Sequence, residues 1–328
     1  MSACQKHFMF FICLSFACML EPAMRAQEES KNASHSILGT GHGIDHVGIA
    51  VRDLETAKKD YRDVLGFTVF AGGKHPAGSR NSGPVLGSGY LELITFWDRT
   101  KAQGAMLAKF LEKHEGALFV GLDVFPVDDT AKLLRSRGVN IQGPEAGSIN
   151  DDPEQHDQPP AFRLVGLETG AVPAARLPAK STDALFFLQY QGVGTVHPNT
   201  AKRLSSVWMA VSDLEASVRA YESMGFRPAR KLAVPQLGAQ GQEIEAGQGT
   251  ILLLQPEKSA GNVASFLAER GAEGVMGVSI EVANLQTARD VLKSNTKRQF
   301  ELYNGPYGQS ILIPPELTHG VWIELFQK

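Results

Sequence analysis

Cysteine is nearly absent from this 328-residue chain: there are three, Cys4, Cys13 and Cys18, all close to the N-terminus. Everything after Cys18 must therefore do without a disulfide scaffold, a cysteine nucleophile or a thiolate metal site. Basic excess is absent too. Lys and Arg number 32 against 35 Asp and Glu, a formal charge of -3, which supplies no surface for nucleic acid. No run of like charge suggests a polybasic membrane patch. The apolar run Phe8–Leu20 (FMFFICLSFACML) is too short to cross a bilayer comfortably, so no transmembrane span is expected. What remains is an apolar core: hydrophobic residues make up 43% of the chain, and the length suffices for two domains.

That apolar run has the marks of an export signal covering 1–26. Lys6 and His7 precede it, and the small residues Ala23 and Ala26 follow. The expected location is secreted or periplasmic, with lipid attachment at Cys18 as a lesser alternative. Residues 27–43 are polar and read as a flexible leader.

Beyond the leader the chain repeats itself. IDHVGIAVRDL (44–54) returns as LSSVWMAVSDL (204–214), and FLEKHEGALFVGLDV (110–124) returns as FLAERGAEGVMGVSIEV (266–282). Matching elements in matching order imply a tandem duplication. Where the first copy has His46 the second has Ser206, so the first half is the one to suspect of holding a metal. In Ile44–Val51, Val47, Ile49 and Val51 share one strand face, and His46, Gly48 and Ala50 share the other. Asp53 is placed to cap a helix to about Leu65, which Gly66 ends. Each such β-α-β-β-β unit is followed by another. Four are expected, over 44–98, 117–191, 204–256 and 274–327, with helical connectors near 101–114 and 258–270. The fold class is α+β: four βαβββ modules forming two domains, 44–191 and 204–328, joined by a Gly/Pro-rich linker, 192–203. The connectors favour pairing of neighbouring units around a shared cleft; pairing of the first with the fourth is the alternative.

Within GYLELITF, Leu91 and Leu93 face one way, and Tyr90, Glu92 and Ile94 the other. A carboxylate between tyrosine and isoleucine needs a partner, because a buried unpaired charge is costly. His46 could supply it, either as a structural histidine bonded to Glu92 or as a fellow metal ligand. Asp123 in GLDVF points away from Leu122 and Val124, toward the same cleft. His75, Ser79, Arg80 and Asn81 in HPAGSRNS form either a polar substrate pocket or merely a turn. His35, His42, His114, His156, His197 and His319 fall in polar or loop contexts and read as surface residues.

The combination of IDHVGIAVRDL, HPAGSRNS (75–82), GYLELI (89–94) and THGVWIELFQ (318–327) resembles the vicinal oxygen chelate superfamily, the glyoxalase and bleomycin-resistance fold. Its glyoxalase-like branch is the nearest. The resemblance implies a divalent ion (Zn, Mn, Fe or Ni) held by residues of first and fourth strands and binding two adjacent oxygens of a small molecule. In this chain those slots map to His46, Glu92 and Gln189 in the first half, and to Ser206, Leu252, Gly277 and Glu324 in the second. Glu324 would join His46 and Glu92 if the first and fourth units paired. The activity implied is a metal-dependent lyase or isomerase, with Glu92 or Asp123 moving the proton. Two alternatives stand beside it: a non-catalytic binding or resistance protein, and an extradiol-type dioxygenase, which needs two histidines and a glutamate in one pair of units. A homodimer is compatible with all three readings.

Overall fold

The structure, a computed structural model, describes residues 37–39, 41–148, 162–189 and 196–328. The expected export signal lies outside the described residues, as does most of the leader. The leader's described end is not loose: Ile37 and Leu38 are buried in the core.

The first half is one eight-stranded sheet of β1 (Ile44–Ala50), β2 (Phe70–Lys74), β3 (Ser79–Gly83), β4 (Tyr90–Phe96), β5 (Gly116–Asp123), β6 (Ile141–Gly147), β7 (Phe162–Leu167) and β8 (Leu185–Gln189). Their order is β2-β3-β4-β1-β5-β8-β7-β6. The second half repeats it with β9 (Ala201–Ala210), β10 (Arg227–Val234), β11 (Ala239–Ala246), β12 (Gly249–Pro256), β13 (Gly274–Val282), β14 (Tyr303–Gly305), β15 (Gly308–Ile313) and β16 (Trp322–Gln327), in the order β10-β11-β12-β9-β13-β16-β15-β14. Neighbouring units therefore pair: the first with the second, the third with the fourth. The fold is α+β, with two curled sheets each made of two βαβββ modules. β9 begins within the expected linker.

Local chemistry sets the helices. Asp53 caps α1 (Leu54–Lys59) by accepting from Glu55 N and Thr56 N, and a π-turn (Asp60–Val64) continues it. Asp213 does the same for α4 (Leu214–Met224), accepting from Ala216 N. Between them in sequence come α2 (Ala102–Leu111) and α3 (Val127–Ser136); α5 (Asn262–Arg270) and α6 (Leu285–Thr296) follow. One face of each sheet carries Val47, Ile49, Leu91 and Leu93, or Val207, Met209, Ile251 and Leu253, and packs into a single core shared by both halves. Each large side chain so buried contributes roughly 1.5–3 kcal/mol. The opposite faces have separate clusters. One comprises Met106, Leu107, Phe119, Phe186 and their neighbours; the other is built around Trp208, Leu252, Val263 and Met276. The halves are also stitched by backbone, Gly87 N to Lys202 O (2.6 Å) and Leu204 N to Ser88 O (2.9 Å).

Candidate functional site

The second face of the first sheet encloses a cavity of about 930 Å³. Apolar rings and branched chains dominate its wall, including Phe70, Tyr90, Phe119, Phe162, Phe186 and Leu188; the second half adds Arg203, Leu204 and Gln248 at one side.

His46 and Glu92 project into it from adjacent parallel strands. β1 and β4 pair with His46 opposite Tyr90 and Gly48 opposite Glu92. Both side chains are buried, and His46 Nε2 stands 3.6 Å from Glu92 Oε2. The imidazole is stacked on Tyr90 (ring centres 4.6 Å apart) and meets Phe186 edge-on at 5.3 Å. Its other nitrogen, Nδ1, is held by Asp45 Oδ1 at 2.5 Å. Adjacent residues on a strand normally face opposite sides. Here β1 pairs Ile44 with Leu122 and His46 with Gly121, leaving Asp45 as an unpaired bulge residue, which re-aims its side chain. Asn81 Nδ2 donates to Glu92 Oε1 at 2.6 Å.

His75 arrives from the β2–β3 turn. Its backbone N donates to Ser79 O at 2.7 Å, and its carbonyl accepts from Trp97 Nε1 at 3.1 Å. The ring then lies with Nε2 3.7 Å from Glu92 Oε1. That nitrogen is buried and makes no hydrogen bond.

The electrostatics follow from this packing. Burial alone would lower the His46 pKa, but the hydrogen bond and charge of Asp45, then the charge of Glu92, raise it above the usual value. Burial would raise that of Glu92, yet His75, His46 and Asn81 together hold it below the carboxylate range. Asp123 is half-buried at the cavity wall, its pKa raised chiefly by burial, and it accepts from His42 Nδ1 at 2.6 Å.

Other sequence expectations come out differently. Gln189 is not brought to His46: its Oε1 accepts from Val127 N (3.3 Å), the first residue of α3. The pairing register explains this. Glu324 lies opposite Ser279 in the second sheet, and the corresponding residue opposite Gly121 in the first is Phe186. By the same register the match to Gly121 is Ser279, not Gly277, because Ser279 faces Ser206 as Gly121 faces His46. Glu324 belongs to the other sheet and bonds to Ser279 and Tyr303. Arg80 does not line the cavity; it is one residue from Asn81 along β3, and neighbouring strand residues face opposite sides. Ser79 does not line the cavity either; it donates to Gln103 Oε1 at 2.7 Å, and Gln103 does. Two of the supposed surface histidines are structural. His197 is buried, accepting from Thr68 N, and His319 bridges Glu115 and Asp60. Asp45 was missed altogether; its carboxylate next to His46 was the available signal.

These features define a protein of the vicinal oxygen chelate superfamily: paired βαβββ modules around a hollow with first- and fourth-strand polar residues inside. The family described as "Glyoxalase-like domain" matches residues 44–225, more than half of the chain, and the chain belongs to it. Human mitochondrial methylmalonyl-CoA epimerase is 30% identical over 129 residues, 38% of this chain and 73% of that protein. The Bos taurus enzyme of the same name is 29% identical over 163 residues, 48% and 92%. Over 87% of this chain and 92% of the other, the fold matches a 4-hydroxymandelate synthase variant from Streptomyces coelicolor, with TM-score 0.61 and 16% identity. A hypothetical protein from Staphylococcus aureus matches with TM-score 0.53 and 12% identity, over 87% and 98%. At those identities the likeness is one of fold.

The superfamily commonly uses divalent metals. Among the described residues no three His, Cys, Asp or Glu side chains converge tightly enough to enclose an ion as they stand. The donor chemistry nevertheless fits one. Two imidazole nitrogens face one ionised carboxylate at 3.6 and 3.7 Å, beyond hydrogen-bond length. A carboxylate on the far nitrogen of His46 is the usual support of a metal-bound histidine.

Proposed function

We propose that this protein is an exported enzyme of the glyoxalase-like type, a lyase or isomerase that moves a proton on a small molecule bearing adjacent oxygens. His46 and Glu92 would hold a divalent ion. One observation carries this reading: a buried His46–Glu92 pair, supported by Asp45 and Asn81, at the wall of a ring-lined 930 Å³ cavity. When bound, the ion supplies Lewis acidity toward the substrate's oxygens. Asp45 accepts the Nδ1 proton of His46 and so fixes the tautomer whose Nε2 lone pair faces Glu92. Asn81 holds the Glu92 carboxylate in one orientation. Asp123, a half-buried carboxylate with a raised pKa and an imidazole beside it, is the group suited to carry a proton. Phe119, Phe162 and Phe186 exclude water.

The substrate class differs from that named for the mitochondrial epimerases. A coenzyme A thioester brings several phosphates, whereas this cavity's charged wall is mostly acidic, with Asp45, Asp123 and Glu145. Its lining arginine, Arg203, is paired to Glu281 at 3.1 Å. An apolar or aromatic carbonyl compound suits the wall better. Export rests on the sequence of the first 26 residues.

A second reading, binding without catalysis, is favoured by Gly121 and Phe186 at two of the four ligand positions. Metal content separates the two. Protein purified without chelator should carry about one divalent ion per chain by elemental analysis, and His46→Ala should lose it. Metal-free protein with a thermal midpoint indifferent to EDTA would favour binding alone.

A further inference from the structure

We propose that His75 is the third protein ligand of the ion, donated by the β2–β3 hairpin in place of the donors missing from β5 and β8. The inference rests on the ion assigned above and goes beyond it, because it places a ligand outside the first and fourth strands.

At the position where β5 faces His46, no side chain fits. A Cβ on Gly121 would come within 2.5 Å of His46 Cε1 and 2.7 Å of Nδ1. The His46 ring occupies the volume that a ligand from β5 would need. At the matching position of β8, Phe186 presents an aromatic edge instead of a donor. Among the described residues, β5 and β8 therefore give the site walls at these two positions and no ligands.

The vacancy in the donor set is matched by a surplus on the other side. His75 Nε2 is buried and without a hydrogen-bond partner, a state that costs roughly 1–3 kcal/mol if nothing else compensates. It faces Glu92 Oε1 at 3.7 Å, while His46 Nε2 faces Glu92 Oε2 at 3.6 Å. Two donors about 2.1 Å from one ion at a tetrahedral angle stand roughly 3.4 Å apart, close to both separations. Two histidines and one carboxylate, with remaining positions open to substrate oxygens, suit Fe, Mn or Zn. Closing the set takes a small adjustment of His75. The His75 carbonyl and amide stay pinned by Trp97 and Ser79, so the movement belongs to the side chain.

The test uses the full chain, stripped with EDTA and titrated with Mn2+, free ion being followed by electron paramagnetic resonance. Wild type should bind about one ion. His75→Ala should weaken binding by about 100-fold or more, and His46→Ala should abolish it. Pulsed resonance on the bound ion should show two imidazole nitrogens in wild type and one in His75→Ala. This signature also decides the matter on wild type alone if the variant does not fold. Unchanged affinity in His75→Ala, or a single nitrogen in wild type, overturns the role of His75 and leaves the reading of His46 and Glu92 standing. Wild type that binds no Mn2+ and no Zn2+ overturns both.

Discussion

The two halves share a backbone and part company in what fills it. Their first strands even share irregularities: Asp45 and Ser205 are both skipped in pairing, as are Leu118 and Met276 on the partner strands. At one cross-strand pair each half has an aromatic ring over a glycine, with the roles exchanged. Phe119 covers Gly48 in the first half; Trp208 covers Gly277 in the second. The positions matching the superfamily's ligand slots diverge further. The first half has His46, Glu92, Gly121 and Phe186, and the second has Ser206, Leu252, Ser279 and Glu324. Glu92 is surrounded by imidazoles and an amide and titrates below its usual range. Glu324, fully buried, titrates above it, because burial outweighs the hydrogen bonds of Ser279 and Tyr303. Trp208 Nε1 completes that knot through Ser279 at 2.9 Å. One half thus has its buried carboxylate beside an open cavity, and the other has its carboxyl inside a hydrogen-bonded network.

The sharpest way to break the comparison is to empty the second hollow. Trp208→Ala should cost about 3–5 kcal/mol, read as a lower urea midpoint, because a fully buried ring and its bond to Ser279 are lost together. A change comparable to a surface substitution would mean that Trp208 does not fill that half. Next in size is Gly121→Ala. The added methyl collides with the His46 ring, so it should destabilise the chain by about 1–3 kcal/mol and shift the His46 imidazole resonances. Ser279, its counterpart, already has a side chain, and Ser279→Ala should cost a similar amount, roughly 1–3 kcal/mol, for a different reason: Glu324 and Trp208 would lose their buried hydroxyl partner.

The smallest expected effect concerns the joint between the halves. His319 Nδ1 and Nε2 each lie 3.1 Å from a carboxylate of the first half, Glu115 and Asp60 respectively. Burial would lower its pKa, but Glu115 and then Asp60 raise it above the ordinary imidazole value. A histidine so raised stabilises the folded state fully below its unfolded value, and this contribution fades as pH rises through the folded value. His319→Gln should therefore lose about 1 kcal/mol in mildly acid buffer and almost nothing in alkaline buffer, by urea midpoints at the two pH values. A loss equal at both would show that the charge of His319 does not couple the halves.

Much of this was readable before the structure. The repeated strand–helix motif, the Asp53 and Asp213 caps, and the alternation of Tyr90, Glu92 and Ile94 against Leu91 and Leu93 are local patterns, and the sheets follow them. His46 and Glu92 were legible for the same reason. Gln189 and Arg80 were misplaced by different faults. The first needed the register of β8 against β5, which moves the slot to Phe186; the second needed the facing of β3, where neighbouring residues point oppositely. For His75 the sequence left pocket and turn open, because nothing in a Gly/Pro-rich turn says where its ring will settle; it lines the cavity.

Period, capping residues and duplication are short-range properties, and they specified the modules, their order and the half whose first strand carries a histidine. Tertiary structure alone decided which strands lie side by side, that a bulge turns Asp45 onto His46, and that a hairpin ring reaches the far oxygen of Glu92. Those outcomes depend on contacts between residues distant in the chain, and a pattern that repeats every two or four residues holds no information about them.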